Sequence, residues 1–145
     1  LTLLTVSETD MTLFFRALAG ITENTQQPFT TLEHCYYTLE LLSDADKTQL
    51  KTWLADYLKV AKTQGQSDEV RAVLMNQTNP KYVLRNYLSQ IAIDSAEAGD
   101  YAKVDELLQA LKRPYDEQPK YEHLAAKRPE WARNKAGCSM LSCSS

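Results

Sequence analysis

An all-α fold is predicted for this chain, as one small domain of about five to six helices followed by an extended C-terminal tail. Apolar residues recur with helical spacing through most of the first 112 residues, and no alternating run favours a strand. Serine, aspartate or asparagine precedes these segments and glycine follows several of them, as at helix ends. With 145 residues, 43% of them hydrophobic, the chain is long enough to bury one core.

Four helical segments are expected in the first half of the chain. The first begins near Ser7 and ends at Gly20, and the second covers residues 31–42. Ser43 is the predicted N-cap of the third, whose apolar residues follow the i, i+3, i+4, i+7 rule most closely. A shorter helix is expected after Ser67.

Two further helices are expected in the second half. Asn79 is the predicted N-cap of the first, and Pro80 its first residue, since proline lacks an N–H that the first turn leaves unbonded. This helix is expected to be the most buried and to run to about Ala98. Asp100 is the predicted cap of the last helix. The apolar residues that the last helix is expected to bury are Val104, Leu107, Leu108 and Leu111.

From Pro114 onward the composition changes, and three prolines interrupt any long helix. We therefore divide the chain into a helical domain, residues 1–112, and an extended tail, residues 113–145. Tyr115, Tyr121 and Trp131 are candidates for anchoring the tail on a surface.

The charge balance argues against a nucleic-acid partner. The net charge is only -3, composed of -6 over residues 1–111 and +3 over residues 112–145. The sequence contains no apolar run of about 18 residues, so no membrane span is predicted. Its three cysteines do not form an extracellular disulfide framework. A cytoplasmic location is expected. Because no methionine precedes Leu1, we also expect the chain to be part of a longer protein.

No motif predicts catalysis by this stretch alone. It lacks a glycine-rich phosphate loop, a nucleophile elbow and a metal-ligand pair at i, i+4 on a helix. The run 79–86 begins and ends with asparagine, and its odd member is Arg85, a guanidinium beside a wide apolar face. A structural role is favoured for the run, with Arg85 pairing with an acid on this domain or on a neighbour.

The cysteines near the end of the chain are the main candidates for a regulatory role. Cys143 lies in a serine-rich stretch, five residues after Cys138. Three alternatives stay open: a local disulfide between the two, a free thiol without a role, or a bridge from Cys143 to a cysteine elsewhere in a longer protein. Reach does not limit the last, since the 29 steps from Pro114 to Cys143 extend roughly 95 Å.

Several of these features occur together in a known family. They are the run Asn79-Pro80-Lys81-Tyr82-Val83-Leu84-Arg85-Asn86, the helix end Ala98-Gly99-Asp100, the Arg-Pro-Tyr segment at 113–115, the turn Arg128-Pro129-Glu130-Trp131 and the terminal Ser142-Cys143-Ser144-Ser145. With them the chain resembles the C-terminal region of the selenoprotein O family, as a bacterial member with cysteine. The combination of the first run with the terminal Cys-Ser-Ser is specific.

The resemblance implies a parent with a protein-kinase-like fold, an atypical pseudokinase that binds ATP in a flipped orientation with magnesium. Such proteins transfer AMP from ATP to Ser, Thr or Tyr hydroxyls of protein substrates, and some bacterial members transfer UMP with manganese. The nucleotide, metal and catalytic residues of the family are expected upstream of Leu1. This stretch alone is therefore expected to be inactive and to hold no cofactor.

The resemblance also implies a redox role for the tail. The position that matches Cys143 is expected to form a redox-sensitive bridge with a cysteine of the kinase-like domain. Cys138 is less regular in the family and leaves a competing local disulfide open.

The expected function is that of a helical domain and redox tail that support and regulate an upstream kinase-like domain. Asn79, Arg85, Asn86 and Trp131 are the candidate domain-interface residues, and neither nucleic acid nor a membrane is an expected partner. The alternative is a freestanding helical protein-interaction module with a disordered tail.

Overall fold

The computed structural model describes Leu4 and residues 7–138. Within them the chain forms six α-helices and three short 3₁₀ helices, and no β-structure beyond an isolated bridge between Thr9 and Tyr36. The all-α prediction is confirmed. The chain divides into two compact units, Leu1–Asn79 and Pro80–Ser145.

The helices of the first unit are α1 (Met11–Ala19), α2 (Pro28–Glu33), α3 (Asp44–Thr63) and α4 (Asp68–Thr78), with a 3₁₀ helix at Leu39–Leu41. Helices α3 and α4 begin where predicted, because Ser43 and Ser67 each accept a hydrogen bond from the N–H three residues on. Helix α1 begins later than predicted, since Asp10 rather than Ser7 is its N-cap.

Helix α2 is shorter than the predicted segment 31–42. The N–H of Tyr37 donates to the carbonyl of Glu8 at 2.9 Å, and the N–H of Asp10 donates to the carbonyl of Cys35 at 2.8 Å. Backbone groups that would continue the helix are thereby bonded to the stretch that precedes α1. The helix therefore ends at Glu33.

The core of the first unit draws on α1, α2, α3 and the loops between them. Its buried residues are Phe14, Leu18, Ile21, Phe29, Leu32, Cys35, Tyr36, Leu42, Leu50 and Leu54. The rings of Phe14, Trp53 and Tyr57 form a row, with centroids 6.2 and 5.6 Å apart. Burial, with a smaller contribution from Cys35, raises the pKa of Tyr36 to about 12.

The second unit contains α5 (Asn86–Glu97), α6 (Ala102–Leu111) and 3₁₀ helices at Pro119–Ala125 and Glu130–Ala132. The link between α5 and α6 turns at Gly99, whose φ of +87° favours glycine. A link this short makes the two helices antiparallel neighbours. Helix α6 buries Leu107 and Ala110 but leaves Val104 and Leu108 exposed, so the predicted core face of this helix was too wide.

The helix predicted to begin at Pro80 begins only at Asn86. The N–H groups of Lys81 and Tyr82 both donate to the carbonyl of Pro114, at 2.7 and 3.0 Å. These donors are used across the unit rather than along a helix, so the segment stays irregular.

Residues 113–138 are folded rather than extended, which corrects the conformation predicted for this part of the tail. Gln118, Leu124, Ala132 and Cys138 are buried, and the last three belong to one core cluster with residues of α5 and α6. The predicted boundary between a helical domain, residues 1–112, and a tail, residues 113–145, stays a prediction.

Candidate functional site

The run 80–86 is fixed to the segment after α6 by hydrogen bonds. Besides the two backbone bonds to Pro114, the hydroxyl of Tyr82 donates to the carbonyl of Gln118 at 3.0 Å. The side-chain amide of Gln118 in turn donates to two carbonyls near the end of α6, at 2.9 and 2.8 Å. Tyr82 and Gln118 are both buried, so these bonds are shielded from water.

Lys81 adds charge to this connection. Its ammonium lies 2.5 Å from a carboxylate oxygen of Glu117 and 2.6 Å from one of Glu122. Burial opposes the charged form, but the hydrogen bonds that Lys81 donates to both carboxylates and their negative charges outweigh it, and the pKa of Lys81 lies above its ordinary value. Lys81 therefore binds the carboxylates of Glu117 and Glu122 together and links the run 80–86 to the segment 113–125. The sequence did not indicate this role.

Asn79 ends α4 instead of starting the next helix, so its predicted N-cap role is wrong. Its side-chain amide donates to the carbonyl of Met75 at 2.8 Å, in the last turn of α4. Its own carbonyl accepts from the guanidinium of Arg16 at 3.3 Å. These contacts give Asn79 a structural role within the first unit.

Arg85 and Asn86 mark the start of α5. Arg85 is the N-cap residue, and its carbonyl accepts from both the N–H and the hydroxyl of Ser89, at 3.0 and 3.3 Å. Asn86 is the first helical residue, and both side chains are half-buried. The interface role expected for them stays a prediction.

The side chain of Trp131 contacts two residues of its own unit and is partly exposed to solvent. Its ring packs edge-on against Tyr87 with centroids 6.3 Å apart, and the ammonium of Lys135 lies 5.5 Å from its ring centre. Lys135 also pairs with Asp94 of α5 at 3.2 Å. Trp131 is 53% exposed, so part of its apolar surface remains accessible to solvent, and the interface role expected for it stays a prediction.

The turn that ends at Cys138 is docked on α5. Gly137 has a φ of +79°, and a Cβ there would lie 2.0 Å from the amide oxygen of Gln90. Gln90 donates to Asp94 at 2.6 Å, and this bond, then Lys135, holds the pKa of Asp94 below its ordinary value. Cys138 itself is a free thiol, 2% exposed. A thiol so placed reacts only when the turn opens.

Cys143 lies outside the described residues, but the docked turn limits how far the chain could carry it. Only four residues separate it from Cys138, and the five steps between the two extend at most about 17 Å, rather than the roughly 95 Å expected for an unanchored tail. Adding about 6 Å between disulfide-bonded Cα atoms, any partner of Cys143 lies within about 23 Å of Cys138 while the turn is docked.

The first unit contains a groove of about 390 Å³ among α1, α3 and α4 that the sequence reasoning missed. Its main lining residues are Phe15, Trp53, Tyr57, Val60, Arg71 and Leu74. Arg71 is only 7% exposed, and its guanidinium donates to the carbonyl of Ile21 at 2.6 Å and to the hydroxyl of Tyr57 at 2.9 Å. One signal was available: an arginine beside three apolar residues in the short helix α4.

Several acids of the second unit contact basic side chains, among them Asp94, Glu106 and Glu117. Glu106 has a pKa below its ordinary value chiefly because Lys103 donates to it, with burial opposing and His123 adding to the shift. Among residues 7–138, no group of three His, Cys, Asp or Glu is arranged to hold a metal ion. Within the same residues, no helix combines the length and the apolar character that crossing a membrane requires.

Comparison with known proteins places the chain in a family. A family model described as protein adenylyltransferase SelO matches residues 1–112, which is well over half of the chain. The chain belongs to the SelO family of protein adenylyltransferases. The resemblance to the selenoprotein O family seen in the sequence is thereby confirmed.

Three similar proteins agree with the SelO assignment, and each is named protein nucleotidyltransferase YdiU. The one from Aromatoleum aromaticum is 51% identical over 99% of this chain and 27% of its own length. The one from Flavobacterium johnsoniae is 47% identical over 98% of this chain and 28% of its own length. The one from Rhodopirellula baltica is 46% identical over 100% of this chain and 29% of its own length. The chain thus spans less than a third of these relatives.

Proposed function

We propose that this chain is the C-terminal helical region of a protein adenylyltransferase, and that it supports and regulates an upstream kinase-like domain of the same polypeptide. The observation that carries the proposal is the SelO-family match over residues 1–112. The relatives named as nucleotidyltransferases are more than three times as long as the stretch they share with this chain. The reacting groups are expected in the part that they have in addition.

The reaction proposed for the parent is transfer of AMP from ATP to Ser, Thr or Tyr hydroxyls of protein substrates. Magnesium, or manganese, would neutralise phosphate charge in such a transfer. The resemblance to the family implies that nucleotide and metal bind in the upstream domain, and no step of the transfer is assigned to the present residues.

The support proposed for the upstream domain draws on the second unit. Arg85 and Asn86 lie at the start of α5, and Trp131 packs on the neighbouring Tyr87 while keeping half of its ring exposed. Aromatic and arginine side chains are the types enriched at the centres of interfaces. Neither nucleic acid nor a membrane is a proposed partner, and the proposed location is the cytoplasm.

Redox control through Cys143 is the regulatory part of the proposal. Two thiols would form a disulfide, releasing two protons and passing two electrons to an oxidant such as glutathione disulfide. Burial of Cys138 supports a partner in the upstream domain rather than a local bridge, since the local bridge requires the docked turn to open. Either bridge would act as a switch in a reducing compartment.

Nucleotide transfer is tested with ATP labelled on the α-phosphate. The intact parent should label itself or a protein substrate, whereas the chain of residues 1–145 alone should not. Heat-treated parent is the control for non-enzymatic labelling. Label incorporated by the isolated chain would contradict the supporting role.

The redox proposal is tested by mapping disulfides of the oxidised parent by mass spectrometry. The expected product links Cys143 to a cysteine of the upstream domain, and a Cys143→Ser variant should lack it. A Cys143 that stays reduced, or that pairs only with Cys138, would remove the regulatory part of the proposal.

A further inference from the structure

Helix α4 buries an arginine and exposes three of its apolar residues, which is unusual for a surface helix. The single buried residue of this helix is Arg71. Val70, Val73 and Leu74 are 50%, 55% and 46% exposed, although each is a residue type usually found in cores. Positions 70, 73 and 74 lie on one helix face because they are spaced by three and four residues.

Contacts of Arg71 fix this orientation. Its guanidinium bonds the carbonyl of Ile21 and the hydroxyl of Tyr57, and pairs with Asp68 at 3.1 Å. Rotating α4 to bury its valines would break these bonds and leave the carbonyl of Ile21 without its donor. An unsatisfied buried polar group is costly, so the outward apolar face is a stable feature of this unit.

The exposed face of α4 continues into the groove on its flank. Leu74 lines that groove together with Val60 of α3, which is 58% exposed, and with the stacked rings of Trp53 and Tyr57. We call Val60, Val70, Val73 and Leu74 the α3/α4 surface. Apolar patches of this kind, flanked by a groove that accepts a side chain, are typical of interaction sites.

We propose that an apolar segment from the rest of the parent polypeptide packs on the α3/α4 surface and inserts a side chain into the groove. The inference rests on the proposed function, because it takes the parent to be a longer protein of the SelO family. Relatives have about 70% of their length outside the matched stretch. A segment on the same polypeptide binds with an effective concentration far above that of a separate partner.

Charge disfavours a second copy of this chain as the occupant. Residues 1–79 contain six Lys or Arg and ten Asp or Glu, a net charge of -4. Two copies that met through this unit would bring like charges together, which opposes association. A covalently linked segment carries no such symmetric repulsion.

Hydrogen–deuterium exchange of the intact parent and of the chain of residues 1–145 tests the proposal. Amides of α4 should exchange at least about tenfold more slowly in the parent. A Val73→Asp parent should lose this protection, and a matched Val104→Asp parent, changed on the exposed face of α6, should keep it. Because Val73 and Val104 are both exposed, either substitution should leave the isolated chain folded by circular dichroism.

Equal exchange of α4 in the wild-type parent and the isolated chain would overturn the proposal, and this comparison needs no variant. A wild-type chain that dimerises in light scattering, and becomes monomeric with Val73→Asp, would overturn it in favour of a second copy. The readout is independent of nucleotide transfer. If the parent transfers AMP but its α4 amides are not protected, the proposal for the α3/α4 surface alone is overturned. If α4 is protected in a parent that does not transfer AMP, the α3/α4 proposal is supported and the proposed function is contradicted.

Discussion

Arg71 is the side chain on which the packing of the first unit depends most. A buried guanidinium loses its hydration, and here it donates hydrogen bonds instead to a carbonyl in the loop after α1, a hydroxyl on α3 and a carboxylate on its own helix. It therefore joins three elements at one point. The sequence could not reveal this, because the carbonyl of Ile21 lies 50 residues away along the chain.

Replacing Arg71 with methionine should destabilise the first unit by about 2 kcal/mol, because the carbonyl of Ile21 and the hydroxyl of Tyr57 lose their donor. Urea unfolding followed by Trp53 fluorescence in a Trp131→Phe background measures the change. Lys59→Met, which removes an exposed pair with Asp56, is the matched control and should have little effect. Equal midpoints for the two variants would show that the buried bonds contribute nothing.

Gly137→Ala should destabilise the second unit more than Gly65→Ala destabilises the first. Both positions have positive φ, which costs about 1 kcal/mol for a non-glycine residue. Only at Gly137 would the new Cβ meet Gln90, displacing it from Asp94, whereas nothing lies within 4 Å at Gly65. NMR titration should show the pKa of Asp94 rising toward its ordinary value in the Gly137→Ala protein, and an unchanged pKa would show that Gln90 still donates to Asp94.

At the scale of elements, the starts of α3 and α4 were predictable because their caps are local. Ser43 and Ser67 bond N–H groups three residues away, within the window that a sequence pattern covers. The start of α5 was not predictable. The Asn79-Pro80 pair has the local chemistry of a helix start, but the N–H groups of Lys81 and Tyr82 bond a carbonyl at Pro114 instead.

Acid should weaken the second unit. Asp94 and Glu106 have pKa values below their ordinary 3.8 and 4.5, chiefly because Gln90 and Lys103, respectively, donate to their charged forms. The contribution of these two carboxylates to the stability of the second unit is complete above their ordinary pKa values. It is lost as the pH falls through their lower pKa values in the folded state. The urea midpoint, followed by Trp131 fluorescence in a Trp53→Phe background, should therefore fall between about pH 5 and about pH 3.

A double variant with Asp94→Asn and Glu106→Gln is the control for this pH dependence. It should show a shallower fall, because neither amide titrates. If the urea midpoint of the double variant fell as steeply with pH as that of the unsubstituted chain, the acid sensitivity would belong to other groups.

At the scale of the whole molecule, the family could be recognised from the sequence, while the limits on the tail could not. Cys138 lies among glycine and serine, a composition typical of a loose end, yet it is buried beneath a turn docked on α5. The docking depends on Gln90 and Asp94, more than 40 residues upstream. The docked turn reduces the distance over which the chain could carry Cys143 from roughly 95 Å to about 17 Å. The proposed disulfide therefore requires a partner cysteine that lies close to this turn.

The supporting role is tested most directly by deleting residues 1–145 from the parent and returning them as a separate chain. AMP transfer from ATP labelled on the α-phosphate is measured for the intact parent, the truncated parent and the truncated parent with the chain added. Transfer should fall strongly on truncation, recover in part when the chain is added, and be absent with the chain alone. Full activity of the truncated parent, or transfer by the isolated chain, would contradict the supporting role.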